Sequence, residues 1–118
     1  MLPNRMQLSK VVEEQLKRLK SQTGITPNIS ARIAFFKSIE SGYRFDPSIS
    51  YKLDGTLTLD KVTWLGKTQQ ITELLLRLNY QELDEKHLQV AWAAHVEHGI
   101  SSLRNQKTLA DFCQSILL

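Results

Sequence analysis

Three histidines in the second half of the chain are of a type and spacing that could bind a metal ion. His87, His95 and His98 are eight and three residues apart, so one continuous helix would carry them on roughly the same side. Three imidazoles on one stripe can hold Zn²⁺, and an open fourth position would activate water. The spacing matches no established zinc motif, however, and Glu97 would point away from the stripe. His98 would also lie in the last turn, where a histidine favourably meets the helix dipole. We predict no metal site.

The remaining reactive side chains form no recognisable catalytic motif. Cys113, the single cysteine, is flanked by Phe112 and Ile116, which predicts a core thiol rather than a nucleophile. Aspartates of the middle segment could bind magnesium in a nuclease site, but Asp46 and Asp54 are better explained by turns. The five glycines are scattered and form no phosphate-binding loop. We therefore predict a protein that is not an enzyme and that needs no cofactor.

Positive charge is concentrated in the first 44 residues. They contain eight Lys and Arg against three Glu, whereas residues 45–118 contain seven basic and nine acidic side chains. This asymmetry indicates a polyanion partner for the basic part, although a solvated, lysine-rich helix surface would have the same composition. Phosphate contacts need flexible positive charge at no particular spacing. The side chains that we predict to make them are Lys10, Lys17, Arg18 and Lys20.

Local signals predict two helices in this basic part. Ser9 is a suitable N-cap for a first helix with inward residues at helical spacing, and Gly24 can end that helix in the left-handed conformation. Thr26 then caps a second helix whose first position is Pro27, and this helix ends at Gly42.

The second helix is apolar on two sides. Ile29, Ile33 and Phe36 form one stripe, and a second apolar group lies nearly opposite. A helix that is apolar all round must be buried all round, which in a short chain indicates a subunit interface. We predict that this interface contains Gly24, Ala31, Ala34 and Phe35, although Phe35 could instead meet a later helix of the same chain.

Residues 43–66 are predicted to be irregular apart from one β-hairpin. A three-residue loop over 53–55 would place Gly55 in a bulge with left-handed backbone and would pair Tyr51 with Leu57 and Ile49 with Leu59. This register puts all four side chains of the pairs on one face.

The second half of the chain is predicted to be helical again. A core-facing stripe is formed by Ile71, Leu74, Leu75 and Leu78. The next helix is capped by Asp84, has Leu88, Trp92 and Val96 inward and ends at Gly99. Trp64 and Trp92 could stack on unpaired bases, but beside leucines they are predicted to be core. A last amphipathic helix contains Leu109, Phe112, Cys113 and Ile116. The predicted fold is mainly α, a compact helical domain of residues 1–118 in which an N-terminal helix pair (1–42) precedes the hairpin segment (43–66) and a helical half (67–118).

Residues 4–42 resemble the ribbon-helix-helix family of DNA-binding proteins. The strand NRMQLS, the capped first helix, the glycine turn and the second helix opened by Thr26 follow that pattern. The resemblance implies that two chains pair their strands into a ribbon that enters the major groove, with Arg5 and Gln7 outward and Met6 and Leu8 in the core. It further implies that Thr26, Asn28 and the backbone amides beside them clamp a phosphate.

Nearly the whole chain resembles the DndE family of the bacterial DNA phosphorothioation system. The resemblance is carried, in order, by LKSQTGITPNISARIAF, DPSISYKLDG, ITELLLRL and AAHVEHGI. It implies an accessory protein without sulfur chemistry of its own, which acts with other subunits of that machinery. It also implies a homo-oligomer, expected to be a tetramer, that binds DNA with some preference for a nicked duplex.

Two other functions are compatible with the same residues. A ribbon-helix-helix repressor would recognise one operator, and a protein adaptor would use the second helix to dock other subunits. The segment after the helix pair is longer than a minimal repressor needs, which favours the accessory protein. The chain has no apolar run of about 18 residues and begins without the apolar stretch of a signal peptide, so we predict a cytoplasmic protein.

Overall fold

The structure is a computed structural model, which describes residues 1–103 and 109–117. The described elements are, in chain order, β1 (Arg5–Met6), α1 (Lys10–Thr23), α2 (Pro27–Glu40), β2 (Leu59–Asp60), α3 (Lys61–Leu65), one turn of 3₁₀ helix (Gly66–Thr68), α4 (Gln69–Asn79), α5 (Glu85–Ile100) and α6 (Leu109–Leu117). The predicted mainly helical fold with a small β element is confirmed.

The caps of the first helices lie where the local signals predict them. Ser9 accepts a hydrogen bond from the backbone N–H of Val12, and Gly24 ends α1 with φ of 80°. Pro27 begins α2, and its missing N–H is harmless there because the first turn of a helix has no internal acceptor for it.

The core is built around the crossing of α2 and α5, which pack together more extensively than the other described pairs of elements. Ala31 and Ala34 are 0% exposed and Phe35 is 1% exposed. The side of α2 that carries these three residues is therefore buried within the chain, which corrects their assignment to an oligomer interface. Gly99 also has another role than predicted, since α5 continues past it to Ile100. A Cβ at Gly99 would lie 1.8 Å from the backbone oxygen of Ala34, so the glycine permits the close crossing.

The small sheet is formed by strands that are distant in sequence. β1 pairs antiparallel with β2, with Arg5 opposite Asp60 and Met6 opposite Leu59. The predicted hairpin is wrong, because residues 50–58 form no strand and Leu59 pairs with β1.

The hairpin segment instead packs against the start of α1. Gly55 donates its N–H to the backbone oxygen of Leu8 at 2.9 Å, and the side chain of Gln7 donates to the backbone oxygens of Leu53 and Gly55. Gly55 is not in the left-handed region. It is needed for close approach, because a Cβ would lie 2.4 Å from a carboxylate oxygen of Glu13.

Three of the four residues in the predicted stripe on α4 face outward, contrary to the prediction, whereas Leu75 is half-buried and packs against the core. Ile71, Leu74 and Leu78 are 45%, 51% and 61% exposed, whereas Thr72 and Leu76 on the opposite side are 1% and 0% exposed. Helical periodicity grouped Ile71, Leu74 and Leu78 on one face, but the rest of the chain packs against the other face.

Both tryptophans are core residues, as predicted. Trp64 and Trp92 are 0% exposed and meet edge to face at 5.5 Å, and the indole N–H of Trp64 donates to the backbone oxygen of Met6. Cys113 on α6 is exposed, which corrects its assignment to the core. In the described part of the chain, helices are too short or too polar to cross a membrane.

Candidate nucleic-acid interface

The four predicted phosphate contacts all lie exposed on α1. We call this group, Lys10, Lys17, Arg18 and Lys20, the α1 basic surface. The helix presents it to solvent because Val12, Leu16 and Leu19 on the other side are 0% exposed in the core.

Lys17 is partly neutralised by a carboxylate that the sequence did not single out. Glu13 is 4% exposed, and it accepts hydrogen bonds from Lys17 at 3.1 Å, from the Thr56 hydroxyl at 2.9 Å and from the Leu57 N–H at 2.8 Å. Burial raises the pKa of Glu13, but these hydrogen bonds and the charge of Lys17 outweigh it and leave the pKa below its usual value. Glu13 is thus an anion that fastens the segment after Gly55 to α1.

Arg18 and Lys20 carry the free positive charge of the surface. Within residues 1–103 and 109–117, neither side chain takes part in an ion pair or a hydrogen bond. Glu14 is the exposed acid on the same helix. These two cations are therefore the ones most available to an external anion.

Lys10 and Lys52, from distant parts of the chain, both act on the carboxylate of Asp54. The backbone N–H of Lys10 donates to this carboxylate at 2.8 Å. This bond, helped by the charges of Lys52 and Lys10, holds the pKa of Asp54 below its usual value. Exposed Lys52 thus adds a cation near the start of α1, where the anion of Asp54 offsets part of the positive charge.

The outward residues of β1 are occupied within the chain. Arg5 is exposed and Met6 and Leu8 are in the core, as predicted, whereas Gln7 is half-buried and bonded to the 53–55 loop. Arg5 pairs with Asp60 at 2.9 Å and donates to the backbone oxygen of Thr58 at 2.8 Å. β1 therefore has β2 of its own chain as a strand partner, and Gln7 holds the 53–55 loop.

The predicted phosphate clamp at the start of α2 is also tied internally. The Thr26 hydroxyl donates to the side-chain oxygen of Asn28 at 2.6 Å, and the Asn28 amide donates to the backbone oxygen of Thr63 at 3.2 Å. Arg32 donates to the backbone oxygens of Thr63 and Trp64 at 3.0 and 2.8 Å. These contacts join α2 to α3, and Thr26 remains exposed.

The three histidines lie in different surroundings. His87 is exposed and lies 2.6 Å from the Asp84 carboxylate, whereas His95 is 0% exposed. The hydroxyl of Ser38 lies 2.9 Å from Nδ1 of both His95 and His98, which joins these two imidazoles. In the part of the chain that the structure describes, no group of three His, Cys, Asp or Glu side chains could hold a metal ion.

Comparison with known proteins gives one family. The family model described as DNA sulphur modification protein DndE matches residues 5–111. The crystal structure of DndE from Escherichia coli B7A, described as involved in DNA phosphorothioation modification, is 62% identical, with a TM-score of 0.81 over 86% of this chain and 97% of that chain. A crystal structure of a DndE mutant with glycines replaced by lysine is 61% identical, with the same coverage and TM-score. Curated proteins give no match.

The fold defines a class of small, mainly helical proteins with one short antiparallel strand pair and, in this chain, a basic first helix. Because the family model matches most of the chain and the solved structures exceed 60% identity, the chain belongs to the DndE family of DNA sulphur modification proteins. The family resemblance found in the sequence is confirmed.

Proposed function

We propose that this protein is a non-catalytic, DNA-binding accessory subunit of the machinery that places phosphorothioates in DNA. Family membership supports the assignment to the phosphorothioation system, since the Escherichia coli relative is described as involved in phosphorothioation. The proposal of DNA binding rests on the α1 basic surface. There Arg18 and Lys20 are exposed and lack an acidic partner among the described residues.

The non-catalytic role is supported by what the reactive side chains do. His95 and Ser38 are buried and bonded to each other, and the backbone N–H of His87 donates to the side chain of Asp84, which caps α5. These groups stabilise the fold and offer no exposed nucleophile with an adjacent base.

DNA is proposed to bind through its phosphates. Cations that contact phosphates release counterions, so affinity should depend on salt and tolerate changes of base sequence. In this proposal the protein binds a nicked duplex more tightly than other DNA, and it is located in the cytoplasm.

A sequence-reading repressor is supported less well. In that function Arg5 and Gln7 would meet base edges, but both side chains bond to backbone or carboxylate oxygens of their own chain. A pure protein adaptor would leave the α1 basic surface without a role.

We further propose that the protein is a homo-oligomer, a tetramer, that acts with other subunits of the machinery. Burial of Ala31, Ala34 and Phe35 removes the face first predicted for the interface. Gly24 stays exposed at the end of α1, and Ile29 on the outer side of α2 is 38% exposed.

The test is a gel shift with intact, nicked and single-stranded DNA of one sequence at two salt concentrations. Arg18→Glu/Lys20→Glu is compared with the charge-matched control Lys37→Glu/Lys86→Glu, which lies outside the α1 basic surface. The first variant should bind every DNA at least about tenfold more weakly, and its log–log salt dependence should flatten by about two counterions per chain. Equal affinity of the two variants, both folded by circular dichroism, would remove DNA binding from α1.

A further inference from the structure

A line of hydrogen bonds runs from the last turn of α5 through the core to the segment that follows α2. The hydroxyl of Ser38 lies 2.9 Å from Nδ1 of both His98 and His95. Nε2 of His95 lies 2.7 Å from the Tyr80 hydroxyl, which accepts the backbone N–H of Phe45 at 2.7 Å. His98 is exposed, whereas the other three side chains are buried. We call His98, Ser38, His95 and Tyr80 the histidine relay.

The Phe45 amide fixes the direction in which the protons of the relay point. A backbone N–H can only donate, so Tyr80 accepts from Phe45 and donates its own proton to Nε2 of His95. The neutral imidazole of His95 then donates from Nδ1 to Ser38, and Ser38 donates to Nδ1 of His98. Every buried polar atom of the relay is paired in this state, and Nδ1 of His98 is the acceptor that ends it.

A proton on His98 reverses this order. A charged imidazole donates from both nitrogens, so Ser38 accepts from His98 and turns its own proton to Nδ1 of His95. Neutral His95 then carries its proton on Nε2 and donates it to Tyr80. The Tyr80 hydroxyl now accepts from both His95 and Phe45, and no acceptor is left for its own proton among the described residues. A buried O–H without a partner is costly, and separation of Phe45 from Tyr80 removes that cost by admitting water.

The groups around His98 favour proton uptake there rather than deeper in the relay. Tyr43, in the segment after α2, stacks on His98 with ring centroids 4.2 Å apart, and a cation over a tyrosine ring is stabilised. Exposed Glu97 on α5 is an anion close enough to act on Tyr43. Burial, followed by the charges of His98 and Arg44, disfavours a proton on His95. The exposed imidazole is therefore the one that becomes charged.

We propose that the histidine relay is a pH-sensitive switch, in which proton uptake at His98 changes the tautomer of buried His95 and releases the Phe45 amide from Tyr80. Histidine is the side chain whose charge ordinarily changes between pH 5 and 8, so the switch acts in that range. The relay contains no residue of the α1 basic surface, and its test is independent of DNA binding.

The first experiment determines the tautomer of His95 directly. Nitrogen-15 shifts of the imidazoles distinguish Nδ1–H from Nε2–H, and they are recorded at pH 8 and pH 5. In the wild type, His95 should stay neutral and change from Nδ1–H to Nε2–H as His98 becomes charged. In His98→Gln the amide oxygen can accept from Ser38 but takes up no proton, so His95 should keep Nδ1–H at both values. The control His87→Gln, outside the relay, should behave as the wild type.

Three results of this experiment would overturn the switch. They are an unchanged tautomer of His95 between the two pH values, a neutral His98 at pH 5, and a tautomer change that persists in His98→Gln. The first two are read from the wild type alone, so they decide the matter even if the variant does not fold.

A second experiment measures the release of Phe45 by amide hydrogen exchange, corrected for the intrinsic rate at each pH. Its protection is compared with that of Val96, a core residue of α5, because a loss of global stability lowers both alike. The ratio of the two protection factors should fall by about tenfold or more between pH 8 and pH 5, since one buried hydroxyl loses its partner. It should stay constant in His98→Gln. A constant ratio in the wild type would overturn the release of Phe45.

Discussion

The hydroxyl of Ser38 on α2 lies 2.9 Å from Nδ1 of His95 on α5, inside the core. Nε2 of the same imidazole lies 2.7 Å from the Tyr80 hydroxyl, which accepts the backbone N–H of Phe45. Because Tyr80 already accepts that bond, its own proton is best donated to Nε2 of His95. The neutral imidazole then donates from Nδ1 to Ser38, and Ser38 donates to His98. This arrangement fits the neutral form of His95.

The first prediction is a loss of stability in weak acid. Burial, together with the charges of His98 and Arg44, lowers the pKa of His95 to about 4 from the ordinary value of 6.5. Between these values the unfolded chain binds a proton that the folded chain does not, so stability falls as the pH drops through this window. Chemical denaturation at pH 7 and pH 4 should show a loss on the order of 3 kcal/mol from this group. His95→Gln should reduce the slope in this window; a wild type equally stable at both values would contradict the argument.

The second prediction concerns the crossing of α2 and α5. Gly99→Ala should lower the free energy of unfolding by about 3 kcal/mol or more, since the new Cβ meets backbone rather than a movable side chain. Gly24→Ala is the matched control: space is open around it, and only the left-handed backbone is strained, by about 1–2 kcal/mol. Urea denaturation measures both losses. Similar losses in the two variants would mean that α2 and α5 move apart at little cost to accept the new methyl group.

The third prediction concerns the buried carboxylate of α1. Glu13→Gln should cost about 2 kcal/mol, because bonds from Thr56, Leu57 and Lys17 to an anion are weakened or lost. The segment beside it should loosen, which hydrogen exchange of the Gly55 amide would detect. Glu14→Gln, an exposed change on the same helix, should alter neither quantity. Unchanged exchange in the Glu13 variant would show that the bonds of Gly55 to Leu8, of Gln7 to the loop and of Lys10 to Asp54 hold the segment without Glu13.

The fourth prediction separates the accessory protein from a repressor. Gln7→Ala should leave the relative affinities for different DNA sequences unchanged, because the Gln7 amide is bonded to Leu53 and Gly55 in the same chain. A binding assay over a pool of random duplexes measures this directly. Lys10→Ala should lower affinity evenly over the same pool. A changed sequence preference in the Gln7 variant would favour the ribbon-helix-helix repressor.

The sequence by itself determined the features that depend on neighbouring residues. Ser9, Gly24, Pro27 and Asp84 mark helix ends correctly, because a cap is satisfied by backbone groups a few residues away. Apolar spacing also identified apolar residues that share one face of a helix. The four cations of the α1 basic surface were correctly placed at the surface, since charged side chains are rarely buried without a partner.

Only the tertiary structure decided what each apolar face meets. Periodicity shows that Ile71, Leu74 and Leu78 share a face, but the choice between core and solvent depends on where Leu76 and Glu73 find partners. The Gly55 turn likewise favours a hairpin locally, yet Glu13, more than 40 positions away, binds that segment instead. Such contacts depend on the packing of distant segments, and a pattern within one segment carries no information about them.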